Sequence, residues 1–167
     1  MGKPFFYELE TCNAFLANMT SRLSKMINDD FTEVLKNAAI VTPVTDVSLI
    51  IFLGQAKRPS IAEVAEALSY SHQRTASRAS ALEKLSLIKR HPDKDDARCQ
   101  RLSLTTLGLE DLSKLERVTT GVANVISDIS QEKNIPLMKV LFELCESIDK
   151  KPISKRLERI STMQEED

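Results

Sequence analysis

The residues best suited to chemistry lie in one basic segment, from Ser69 to Arg101. This segment holds eight cations and four anions, a net charge of plus four, in a chain whose total charge is minus one. A basic segment within an otherwise acidic chain indicates a local surface for a polyanion, and the alternative is a solvated polar face. The charge distribution therefore needs a motif beside it.

Side chains that can recognise nucleic acid form two groups in this segment. The expected contacts are His72, Gln73, Arg74, Ser77 and Arg78 in the first group, and Lys94, Asp96 and Arg98 in the second. Gln can pair with adenine through two hydrogen bonds and Arg can do so with guanine, whereas Ser and His are better suited to phosphate oxygens. For each arginine the alternative is an ordinary solvated side chain.

Two short helices joined by a tight turn are predicted to position the first group. Residues 61–68 alternate apolar and acidic positions at helical period, and the stretch around Ser69 breaks the pattern. Ser71 is the expected N-cap of a second helix over residues 72–86, whose inward positions are Thr75, Ala79 and Leu82. This arrangement predicts a helix-turn-helix.

A charged hairpin is predicted to position the second group. Residues 87–90 and 101–104 have strand-like composition, and the polar stretch 92–98 lies between them. Thr105 and Thr106 then cap the next helix. A hairpin directly after a helix-turn-helix is typical of a wing.

Helices with narrow apolar stripes are expected on both sides of this module. The first stripe is Phe5, Leu9, Cys12, Leu16, Met19, Leu23 and Met26, and the second is Leu112, Leu115, Val118, Val122, Val125 and Ile129. Two more helices are expected after Pro136 and after Pro152. Narrow stripes favour contacts with partner helices and hence a homodimer, with packing inside one subunit as the alternative.

These patterns predict a mostly α fold with a small β-hairpin wing. The expected parts are an N-terminal dimerisation helix over residues 1–41, a winged helix-turn-helix over 42–105 and C-terminal dimerisation helices over 106–167. Inside the middle part, Thr42 and Pro43 are predicted to start a buried helix that ends near Gln55.

Several classes of protein fit the sequence poorly. The apolar run Leu49–Leu53 is far below the roughly 18 to 20 residues of a membrane span, and the amino terminus lacks the pattern of a secretory signal, so a cytoplasmic location is expected. Cys12, Cys99 and Cys145 are odd in number and widely spaced, which argues against disulfides and zinc. Without a phosphate loop, metal-ligand cluster or nucleophile motif, neither an enzyme nor a cofactor is expected.

Residues 42–108 resemble the multiple antibiotic resistance regulator (MarR) family. The similar features are Asp96-Ala97-Arg98 followed by Leu104-Thr105 and Gly108, with support from Thr42-Pro43, Val64-Ala65-Glu66-Ala67-Leu68 and Leu82-Glu83-Lys84-Leu85-Ser86-Leu87-Ile88. Ser69 and Ser86 stand where the family usually has glycine. The stretch Thr75-Ala76-Ser77-Arg78 resembles the family's recognition signature but lies one residue late.

The resemblance implies a DNA-binding transcription regulator. It would act as a homodimer on a roughly palindromic operator, usually as a repressor that a small aromatic or phenolic ligand releases from double-stranded DNA. Arg98 would enter the minor groove and Asp96 would orient it. Two alternatives stay open: a redox-sensing regulator that uses Cys12, and a winged helix that binds protein instead of DNA.

Overall fold

A computed structural model describes residues 2–93 and 99–164 of the chain, with side chains described up to residue 158. The helices are α1 (Leu16–Asn37), α2 (Val47–Gln55), α3 (Ile61–Ala67), α4 (His72–Lys84), α5 (Thr106–Glu132), α6 (Leu137–Lys150) and α7 (Ile153–Gln164). Two antiparallel strands, β1 (Ile88–Pro92) and β2 (Gln100–Leu104), form one hairpin. The predicted fold class, mostly α with a hairpin wing, is confirmed.

The chain divides into two compact units, Met1–Gly121 and Val122–Asp167. The first unit contains the helix-turn-helix formed by α3 and α4 and the hairpin that follows it. Within the described residues, no helix combines the length and the apolar character needed to cross a membrane.

The first helix begins later than its apolar stripe predicts. Two short 3-10 helices, Phe5–Glu8 and Cys12–Phe15, precede α1, and the backbone is extended at Leu9 (φ −78°, ψ 143°). The ring of Phe6 stacks on that of Phe15 with centroids 5.2 Å apart. Apolar spacing of three and four does not separate a 3-10 turn from an α-helix, and this local aromatic packing favours the broken path.

Thr42 does not cap the second helix. A 3-10 turn, Val44–Asp46, comes first, and α2 begins at Val47. The backbone N–H and the hydroxyl of Thr42 both donate to the carboxylate of Asp111 in α5, at 2.8 and 2.7 Å. Thr42 is therefore part of a link to a residue 69 positions away, which takes the place of the predicted cap.

The hydrophobic core lies in the first unit. Its buried residues come mainly from the helix-turn-helix, the hairpin, α2 and the first turns of α5. They are Leu35, Ile40, Val47, Leu49, Ile50, Leu53, Val64, Ala79, Leu82, Leu87, Ile88, Leu102 and Leu115. The apolar run of α2 is thus buried in the same core as the inward side chains of α3 and α4.

The second unit leaves large apolar side chains exposed. On α6, Met138 and Phe142 are 74% and 65% exposed, and Ile153 and Leu157 of α7 are also exposed. Monomeric proteins rarely leave so many large apolar side chains uncovered in neighbouring helices. This surface is suited to a partner of matching apolar character.

Candidate nucleic-acid interface

The turn between α3 and α4 is built by hydrogen bonds and one left-handed residue. Ser69 has φ 53°, and the N–H of Tyr70 donates to the carbonyl of Ala65 at 2.9 Å. The hydroxyl of Ser71 accepts from the N–H of Arg74 at 3.2 Å, so the predicted N-cap is confirmed. Ser69 adopts the backbone conformation that glycine would adopt without strain.

Helix α4 has one buried and one exposed face. Thr75, Ala79 and Leu82 are buried, as their spacing predicts. Of the expected contacts, His72, Gln73, Arg74 and Ser77 are exposed, whereas Arg78 is half-buried. Lys84 is also exposed and lies on the same face, three turns after Gln73 and two turns after Ser77. Lys84 is thus a further exposed cation on this face, as its helical spacing from Gln73 and Ser77 indicates.

Arg78 is bound within the protein. Its guanidinium donates to the carboxylate of Asp46 at 2.5 Å and to the carbonyl of Thr45 at 2.6 Å. The Arg78 side chain is 18% exposed and that of Asp46 is 7% exposed. The ion pair connects α4 to the turn before α2, so Arg78 has a structural role whatever else it contacts.

Tyr70 lies beside both arginines of α4. Its ring centroid is 4.4 Å from the guanidinium carbon of Arg74 and 5.6 Å from that of Arg78. Its hydroxyl lies 3.5 Å from the hydroxyl of Ser48. Tyr70 and Ser48 are not among the contacts predicted from the sequence. The spacing of four residues from Tyr70 to Arg74 and from Arg74 to Arg78 does indicate that these three side chains lie on one side of the helix.

The wing is tied to the helix-turn-helix at its base. Ile88 pairs with Leu104 and Pro92 with Gln100 across the hairpin, which confirms the predicted strands with shifts of one or two residues at their ends. The N–H of Leu102 donates to the carbonyl of Pro59 at 2.9 Å, and Ser60 forms an isolated bridge with Arg101. The segment before α3 thereby pairs with β2 over a short distance, on the side of β2 away from β1.

Arg101 is the ionic centre of this base. Its guanidinium bonds to Asp93 at the end of β1 and, at 2.7 Å, to Glu63 in α3. The hydrogen bond with Asp93 raises the pKa of Arg101. The pKa of Glu63 is lowered mainly because the backbone N–H of Ser60 donates to its carboxylate, with further contributions from the Ser60 side chain and Arg101. Ser60 and Glu63 also form a capping box at the start of α3.

Arg90 connects the wing to the end of α4. Its guanidinium donates to the hydroxyl of Ser80 at 2.7 Å and lies 3.2 Å from the carboxylate of Glu83. Together with Arg78 and Arg101, it is one of three cations of the basic segment with a carboxylate partner among the described residues. The cations of the segment are therefore less available to an external polyanion than their number indicates. Lys94, Asp96 and Arg98 lie outside the described residues.

Thr105 joins three elements at the end of the wing. Its hydroxyl donates to the carbonyl of Ser86 at 2.6 Å and accepts from the N–H of Gly108 at 3.1 Å. A Cβ on Gly108 would lie 2.1 Å from the carbonyl oxygen of Leu87, so only glycine fits there without movement. The predicted capping role of Thr105 at α5 agrees with these bonds.

The chain is similar in structure to several solved transcription regulators. The transcriptional regulator MosR of M. tuberculosis in complex with DNA has a TM-score of 0.68 at 15% identity, with 83% of this chain and 98% of that chain covered. The corresponding values are 0.67, 18%, 80% and 97% for the complex of S. aureus MepR with DNA. They are 0.61, 20%, 90% and 96% for AbsC, a MarR family transcriptional regulator from Streptomyces coelicolor. At these identities the likeness shows the fold. No family model and no curated protein matches the sequence.

Proposed function

The chain has the fold of the MarR-family winged-helix regulators, and from that fold we propose that it is a sequence-specific DNA-binding transcription regulator. The observation that supports this most directly is the composition of α4. Its inward face is buried, while the exposed positions near its amino end are His72, Gln73, Arg74 and Ser77. These side chains can bond to base edges and phosphates when a helix enters the major groove.

The proposed contacts fall into two grooves. His72, Gln73, Arg74 and Ser77 of α4 face the major groove, and Arg78, which is bound to Asp46, lies at the side of this group where a phosphate could reach it. Lys94, Asp96 and Arg98 of the wing face the minor groove, where Arg98 inserts and Asp96 orients it. The attachment of the wing base to α3 through Arg101 and Glu63 supports this assignment, because it fixes the wing relative to the helix-turn-helix.

We propose that the active form is a homodimer. The exposed apolar side chains of α6 and α7, among them Met138 and Phe142, support a second copy as the partner, since an identical copy supplies the same apolar character. A twofold dimer would bind half-sites about one helical turn, roughly 10 base pairs, apart.

The proposed regulation is repression that a small aromatic or phenolic ligand relieves. Such a ligand would act by binding better to a conformation that does not fit the operator, so that the population shifts away from DNA. The resemblance of residues 42–108 to the MarR family supports this part of the proposal. A ligand series that leaves DNA affinity unchanged at millimolar concentration would contradict relief by this class of compound.

DNA binding is tested by fluorescence anisotropy at several salt concentrations. The probes are a labelled duplex from the DNA upstream of the gene that encodes this protein, and duplexes obtained by random-site selection. We expect saturable binding that resists competitor DNA and weakens with salt, because phosphate contacts release counterions. Arg98→Ala should weaken binding and flatten the salt dependence, whereas Arg117→Ala, which removes an exposed arginine of α5, should not. Equal effects of the two substitutions would contradict the wing assignment.

The oligomeric state is tested by light scattering and by footprinting. We expect a mass of two chains and a twofold-symmetric footprint. Phe142→Glu should reduce the dimer fraction, while Lys139→Glu places the same charge at an exposed polar position of α6 and should not. A monomeric wild-type protein that still binds DNA would contradict the homodimer.

A further inference from the structure

We infer that Tyr70 is a positioning residue that presents Arg74, and not Arg78, to the bases. This inference rests on the proposed DNA-binding function. It gives the two arginines of α4 different roles, with Arg74 at the bases and Arg78 in an internal ion pair. It also assigns a role to a tyrosine in the turn of the helix-turn-helix, outside the expected set of contacts.

Arg74 is the arginine of α4 that is available to a ligand. It is exposed in the first turn of α4, beside Gln73. Among residues 2–93 and 99–158 it has no carboxylate partner, and its described side-chain contact is the ring of Tyr70 at 4.4 Å. Its charge is therefore free to meet a phosphate or a guanine.

Arg78 is held by other groups. To reach DNA, its guanidinium would have to leave both the Asp46 carboxylate and the Thr45 carbonyl. The Asp46 side chain is 7% exposed, so it would remain as an unpaired buried charge. The free energy of that loss opposes any contact of Arg78 with a base.

Tyr70 is held through its main chain, and the tip of its ring lies close to α2. Its backbone N–H donates to Ala65 in α3, and its hydroxyl lies 3.5 Å from that of Ser48 in α2. The half-buried ring is therefore a platform on which the flexible side chain of Arg74 lies. Ordering this side chain before DNA arrives lowers the entropy lost on binding, and the cation–π attraction supplies the ordering.

The platform requires an aromatic ring at position 70 and an arginine at position 74. Tyr70→Leu keeps the apolar bulk and removes the ring, so we expect DNA affinity to fall about two- to fivefold, as for an exposed cation–π contact. Tyr70→Phe keeps the ring and should restore most of that loss. Tyr7→Leu is the matched control, because it removes the distant contact between Lys3 and the Tyr7 ring.

A double-mutant cycle in the full-length protein tests the inference. Tyr70→Leu is measured by anisotropy in the wild-type background and in Arg74→Ala, on the duplex that the wild type selects, with melting temperatures recorded for each variant. We expect Tyr70→Leu to cause no further loss when Arg74 is already absent. The same loss in both backgrounds would mean that Tyr70 acts only through the fold, and would overturn the inference. A wild-type protein that selects no duplex would instead overturn the proposed function on which the inference rests.

Discussion

The guanidinium of Arg101 in β2 donates a hydrogen bond of 2.7 Å to the carboxylate of Glu63 in α3. Glu63 also accepts from the N–H of Ser60, so one carboxylate both caps α3 and holds the wing. Arg101, like any arginine, stays positively charged throughout the pH range in which proteins fold, and its hydrogen bond with Asp93 raises its pKa further. Any titration of this contact must therefore come from the carboxylates.

We expect the contribution of Glu63 to stability to depend on pH in a definite direction. Its pKa in the folded protein is lowered from the ordinary value of 4.5. A lowered pKa gives stability that is fully present above the unfolded value and is lost as the pH falls through the folded value. Glu63→Gln should therefore melt below the wild type at pH 7, and the difference between the two melting temperatures should shrink as the pH falls below 4.5 and through the lowered folded value.

The control for this pH series is Glu66→Gln, which neutralises an exposed glutamate of the same helix. Its difference from the wild type should vary little with pH over the same range. A difference between wild type and Glu63→Gln that persists unchanged to pH 3 would mean that the charge of Glu63 does not stabilise the fold.

Asp111 is expected to be important for stability. One oxygen of its buried carboxylate accepts from the N–H of Val41, the N–H of Thr42 and the Thr42 hydroxyl, at 2.7 to 3.0 Å. Asp111→Asn weakens these charge-assisted bonds and should lower the free energy of unfolding by roughly 1.5 to 3 kcal/mol. Chemical denaturation measures this value. Glu110→Gln is exposed and should change it little, so equal effects of the two substitutions would contradict the prediction.

Ser86 is a position where glycine should stabilise the protein. Its φ of 59° is in the left-handed region, which costs free energy for any residue with a Cβ. Ser86→Gly removes that strain, but glycine also raises the conformational entropy of the unfolded chain and so offsets part of the gain. We expect the free energy of unfolding to rise by up to about 1 kcal/mol, measured by thermal unfolding. Ser113→Gly, in the regular helix α5, should instead destabilise. A loss of stability in Ser86→Gly would show that the turn is not strained.

The two glycines of α5 should respond in opposite directions to alanine. At Gly108 the new methyl group meets the Leu87 carbonyl oxygen at 2.1 Å, and the resulting shift should cost about 1 to 3 kcal/mol. At Gly121 nothing lies within 4 Å, and alanine should stabilise the helix by about 0.5 to 1 kcal/mol. Differential scanning calorimetry on both variants gives the comparison. A tolerated Gly108→Ala would contradict the close packing of Leu87 on α5.

The elements that rest on local patterns could be predicted from the sequence. Helices α3 and α4 agree with the prediction within two residues, as do the strands of the wing. The cap at Ser71 and the buried face through Thr75, Ala79 and Leu82 are likewise set by neighbouring residues. Apolar periodicity and capping are short-range properties, and a single sequence displays them directly.

The predictions that were wrong, and the contacts that were not predicted, depend on residues far away in the sequence or on a local packing that competes with the helix. Thr42 has the residue type and position of an N-cap, but its polar groups bond to Asp111 instead. The charge count of the basic segment could not show that Asp46, 32 positions before Arg78, is paired with that arginine. At the amino end, packing of Phe6 on Phe15 accompanies a break that the stripe does not indicate. Distant contacts decided the first two outcomes, and local aromatic packing accompanies the third.

The bonds of Thr105 also have a mechanical consequence. One hydroxyl connects the carbonyl of Ser86, just after α4, to the first turn of α5, and the same residue directly follows β2, so these three elements are joined at one point. We therefore expect a change in the direction of the amino end of α5 to move α4 with it. Because Arg101 and Arg90 also bond the hairpin to α3 and α4, we expect α4 and the hairpin to keep their mutual spacing when the direction of α5 changes.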